Sequence, residues 1–180
     1  MRARDFDESV LEEGLHTIEA EFFSTEYVMR GEIISPEARL SDHLNSSTET
    51  LELRPLRVQR TSNGQQINIS GTNAYITKSH VLFVLPLREP RSPQNAENDP
   101  RTATMSHTCW IGLGRYSLLG KVHMDAGRNP RLFLRSFEQR QFLPVTDARL
   151  TLPDGTVRAF PAIVVNRMSI EVLALEGTDQ

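Results

Sequence analysis

The chain has 180 residues, 20 Lys+Arg against 23 Asp+Glu, and a single cysteine, Cys109. A formal net charge of −3 lacks the basic excess of a nucleic-acid footprint. One cysteine excludes an intrachain disulfide and a cysteine-based zinc site within one chain.

In chain order, residues 5–15 read as a short acidic helix, with Phe6, Val10 and Leu11 at helical spacing and Gly14 at its end. The N-terminal helix region is therefore set at 1–15. A first lobe is expected over 16–87. Ile18, Ala20 and Phe22 alternate with Glu19 and Glu21, the period of a strand. A second strand runs through Tyr27-Val-Met to Gly31, where an internal glycine marks a bulge or bend. Leu40 and Leu44 share one face of a helical turn, with Ser41 or Asp42 expected to cap it. Leu51 to Val58 reads as a third strand. Asn63-Gly64 signals a type I′ hairpin into a long fourth strand through Ile67, Ile69 and Tyr75-Ile76, and Val81–Leu87 forms the last.

Residues 88–106 hold three prolines, several charges and few apolar side chains, the composition of a flexible linker. The second lobe, 107–176, repeats the first. Tyr27–Ile33 recurs as Tyr116–Val122 with Gly31 matched by Gly120, at an offset of 89. Asn63-Gly64 recurs as Asp154-Gly155, at 91, and Ala74–Leu87 recurs without a gap as Ala162–Leu175, at 88. Asn129-Pro130 opens a helical turn in the place of the one at Leu40.

The repeated order of strand, glycine-bent strand, turn, strand, hairpin, long strand, short turn and strand resembles the Sm-like small barrel of Sm, LSm and Hfq proteins. Ala162-Ile-Val-Val-Asn-Arg-Met-Ser-Ile-Glu-Val-Leu is similar to that family's second motif, and Gly31 and Gly120 sit where the first motif bends its second strand. The pattern is also similar to bacterial domains that carry such a barrel in tandem. The resemblance implies a mainly β protein made of two tandem five-stranded barrels that self-associate through strand edges. The Asp and Asn of the family's first motif have no counterpart at matching positions, so its RNA-binding residues are not carried over.

Catalytic patterns are absent from the sequence. His16, His43, His80, His107 and His123 form neither HxxxH nor HExxH. Ser41-Asp42-His43 are sequence neighbours, which point apart instead of converging as a triad must. Gly112-Leu-Gly114 precedes no helix and reads as a turn between strands. Cys109 adjoins Trp110 in a strand-like run and reads as a buried thiol.

These observations point to a non-enzymatic interaction or assembly protein, an adaptor or scaffold subunit, with a protein partner or self-association. No cofactor, metal or small-molecule ligand is indicated. The alternative is RNA or single-stranded DNA binding by Arg128, Arg131 and Arg135 with Phe133 and Phe137, where charge and aromatic stacking would combine. A third possibility is an enzyme with an interlobe site lined by His123, Asp125 or Asp147. No membrane-spanning run is present. With no signal-peptide pattern at the N-terminus, a cytoplasmic location is expected.

Overall fold

The computed structural model describes residues 14–69, 73–89, 104–125 and 140–176. The first half contributes β1 (His16–Ser24), β2 (Tyr27–Ser35), α1 (Leu40–Leu44), β3 (Thr50–Arg60), β4 (Gln66–Ile67), β5 (Ala74–Thr77) and β6 (Val81–Arg88). The second contributes β7 (Thr104–Leu113), β8 (Tyr116–Asp125), β9 (Phe142–Thr151), β10 (Val157–Asn166) and β11 (Val172–Leu175). Three-residue 3₁₀ turns, Lys78–His80 and Arg167–Ser169, join the last two strands of each half. The expected N-terminal helix lies outside the described residues except for Gly14 and Leu15, which form a turn and coil before β1. The linker and the helical turn at Asn129 also fall outside, apart from the linker's ends. There β6 extends through Arg88, and β7 starts at Thr104, ahead of the expected lobe boundary at 107.

The protein is mainly β, as expected, but the strands join into one antiparallel sheet of order β11-β7-β8-β9-β10-β6-β1-β2-β3-β4, with β5 also on β3. This corrects the expectation of two separate five-stranded barrels. Each half has the same internal order, with its last strand beside its first. The 3₁₀ turn sends the last strand across to the first strand instead of folding it back on its predecessor. The second half's fourth strand, β10, keeps a free side, and β6 of the first half fills it: Val164 pairs with Val84 and Val165 with Phe83.

Alternation in the sequence becomes alternation in burial. Ile18, Ala20 and Phe22 are fully buried, whereas Glu19 and Glu21 on the opposite face of β1 pair with Arg30 of β2 and Arg57 of β3. Two apolar clusters result, and each borrows from the other half. One joins Phe23, Phe83 and Leu85 to the second half's Ile111, Leu118 and Val145. The other joins Phe142 and Val164 to the first half's Ile18, Phe22 and Leu51. Fully burying a side chain such as Phe83 contributes ~1.5–3 kcal/mol, so these exchanges bind the halves together.

Gly31 and Gly120 have the same structural reason. A register shift follows Arg30 in the β2–β3 ladder, and another follows Leu119 in the β8–β9 ladder. A Cβ on Gly31 would lie 2.6 Å from the Arg54 carbonyl oxygen, and one on Gly120 would lie 2.5 Å from Val145 Cγ1. Only a bare backbone admits the third strand of each half so closely.

Three local expectations need correction. Neither hairpin is type I′, since Gly64 and Gly155 have positive φ but Asn63 and Asp154 do not. The loops are longer than two residues: Arg60 N–H donates to Gln65 O, and Leu152 N–H to Thr156 O. Asn63 and Asp154 instead accept from the N–H two residues on, their usual use in turns. The long fourth strand of the first half is broken into β4 and β5, unlike the continuous β10. Finally, the α1 cap is Arg39 and not Ser41 or Asp42, which lie within the helix. The Leu40 N–H is satisfied by Glu89 Oε1 at 2.9 Å.

Candidate interaction surfaces

Three places could serve a partner: the two ends of the sheet and the seam between the halves. Among the described residues, β5, which lies with β4 on β3 at one end, pairs only with β3, and β11 at the other end pairs only with β7. An edge strand presents unpaired backbone N–H and C=O groups, ready to template another strand. Tyr75 on β5 is 69% exposed and Val172 on β11 is 53% exposed. Neither strand contains a charged residue or proline, the usual devices that blunt an edge.

The seam is held by polar groups as well as apolar ones. Asn166, fully buried at the end of β10, donates to the carbonyls of Val81 at 2.7 Å and Lys78 at 3.2 Å and accepts from Met168 N–H at 3.0 Å. Lys78, the first residue of the equivalent 3₁₀ turn in the first half, is buried too. The Lys78 ammonium donates to Ser46 O at 2.9 Å and Ser46 Oγ at 3.1 Å. Burial lowers the Lys78 pKa. His43 is also held below its ordinary value, first by burial and then by the Lys78 charge, against the opposing pull of Glu37.

At one end of the seam Phe23 stacks on Phe83 with ring centroids 4.4 Å apart, and Tyr116 meets both edge-on. Phe23 and Tyr116 of this trio line a hollow of about 350 Å³, together with Arg60, Arg115 and Asp154. The Arg115 guanidinium is committed to Thr25 O at 3.4 Å and Thr61 Oγ1 at 3.3 Å. Arg60 lies over the Tyr27 ring. The hollow offers aromatic surface and cations, without a nucleophile and base in contact.

Of the residues named for an interlobe enzyme site, His123 and Asp147 lie elsewhere, and the Asp125 side chain lies outside the described ones. His123 Nε2 bonds Thr146 Oγ1 at 2.8 Å, and Asp147 pairs with Lys121 at 2.9 Å on the exposed face of β8 and β9. The hydrogen bond and charge of Lys121 hold the Asp147 carboxyl below its usual range. Among the described residues no group of three His, Cys, Asp or Glu could hold a metal ion, and no helix is long and apolar enough to cross a membrane. Cys109 is fully buried, and burial pushes its thiol up to about 11. Arg128, Arg131, Phe133, Arg135 and Phe137 lie outside the described residues. Sequence reasoning missed β5 and β11 as edge strands at opposite ends of the sheet. Their bare edges could have been noticed from the absence of charge in Ala74–Thr77 and Val172–Leu175. Comparison with protein-family models, curated proteins and solved structures yields no match.

Proposed function

We propose that the chain is a non-enzymatic interaction or assembly subunit, built from a duplicated β unit whose strand order resembles the Sm-like kind. The observation that carries this reading is a sheet with two unblunted, partly apolar edge strands, β5 and β11, each paired on one side only among the described residues. The identical strand order of the two halves supports the duplicated unit. The equivalent bulges at Gly31 and Gly120 support it too. An adaptor or scaffold needs surfaces that accept a strand and a core stiff enough to hold them in place. The exchanged side chains of the two clusters supply that stiffness.

The test is affinity capture of the tagged full chain from its native cell, with light scattering on the purified protein. A stable complex, with itself or with another protein, supports the reading. A solitary monomer that captures nothing overturns it. Retention on RNA at about 50 mM salt that falls steeply as salt rises would instead indicate phosphate neutralisation.

A further inference from the structure

Resting on the assembly reading, we infer that the free β5 edge of one copy of this chain pairs with the free β11 edge of a second copy. That pairing repeats between chains the β10–β6 junction already present within one.

The chain supplies its own template. By the repeat, β5 holds in the first half the place that β10 holds in the second, and β11 holds the place of β6. β10 has neighbours on both sides, β9 and β6, whereas among the described residues β5 has β3 alone. β6 lies between β1 and β10, whereas among the described residues β11 has β7 alone. Each chain has thus formed one junction and carries the two complementary parts of another.

The repeat also fixes the register. Within the chain Val164 faces Val84 and Val165 faces Phe83. Matching the 3₁₀ turns, Lys78–His80 onto Arg167–Ser169, converts these pairs to Tyr75 opposite Leu173 and Ile76 opposite Val172. The next position places Thr77 opposite Glu171. The two most exposed apolar side chains on these strands, Tyr75 and Val172, would then be covered by a neighbour. The strands are short, four residues each, but the intrachain junction uses only two register pairs. Such an interface is head-to-tail, so it propagates into a closed ring or an open row of copies.

The test mixes full-length chains carrying Thr77→Cys with chains carrying Glu171→Cys under mild oxidation. Both positions are exposed in the single chain, so neither substitution disturbs the core, and the native Cys109 is fully buried. Directly opposite residues of an antiparallel pair have Cα atoms about 4.5–5.5 Å apart, within disulfide reach. The expected result is a covalent dimer. It should be far scarcer when Thr77→Cys is mixed with Glu176→Cys, five positions out of register. Equal trapping in both mixtures, or none in either, overturns the inference. Light scattering separates its failure from that of the parent reading. A monomeric chain that holds a different protein sinks only the self-pairing, and a monomer that holds nothing sinks both.

Discussion

Asn45 and the backbone of Phe142 exchange two hydrogen bonds across the halves of the chain. Asn45 Nδ2 donates to the Phe142 carbonyl and Asn45 Oδ1 accepts from the Phe142 N–H, each at 2.9 Å. Asn45 ends α1, and Phe142 opens β9 with its ring fully buried in the cluster of the first half. One amide side chain thereby satisfies two backbone groups that the buried start of β9 would otherwise leave unmade. Replacing it with alanine (Asn45→Ala) should cost ~1–3 kcal/mol for each group left without a partner. Urea denaturation should show a lower midpoint with an unchanged slope.

Gly31→Ala and Gly120→Ala should each destabilise by ~1–3 kcal/mol, the scale of overpacking a filled space. Gly31→Ala should be the worse of the two. Its nearest obstacle is the Arg54 carbonyl at 2.6 Å, whereas at Gly120 the nearest atom is a Val145 methyl and the backbone stands off at 3.0 Å. Gly155→Ala meets no atom within 4 Å but has a φ of +82°, so only the roughly 1–2 kcal/mol of left-handed strain applies. Thermal denaturation of the three variants gives the order.

His43 should make stability depend on pH below neutrality. Its folded pKa lies below the ordinary 6.5 because of burial and the Lys78 charge, so the unfolded chain binds the proton more readily. The contribution is present above pH 6.5 and is lost as pH falls through the folded value. Melting temperatures between pH 7.5 and 5 should fall less for His43→Gln than for the parent chain. An identical slope for both would remove His43 from the account.

Cys109 should resist thiol reagents. It is fully buried on β7, and its pKa of about 11 leaves little thiolate at pH 8. Labelling with an aromatic disulfide at pH 8 should be slow in buffer and complete in denaturant. Rapid labelling in buffer would mean that β7 opens readily.

The strands of the first half were legible because burial follows the period-two pattern of residues such as Ile18, Ala20 and Phe22. The bulge glycines were legible because the duplication places them at matching positions. The β10–β6 junction was not. Pairing between strands about 80 residues apart leaves no trace in local periodicity, and Val164 and Val84 read equally well as the cores of separate lobes. The turn type was misread at Asn63-Gly64 because loop length, not the dipeptide alone, decides which residue takes positive φ. The Arg128–Arg135 cluster was legible only as composition, and it lies outside the described residues.

The most direct test of the assembly account is amide hydrogen exchange at low and high protein concentration. The account predicts that β6 and β10 are protected at both, whereas amides of β5 and β11 gain protection together as concentration rises. Exchange in β5 and β11 that does not change with concentration would contradict it.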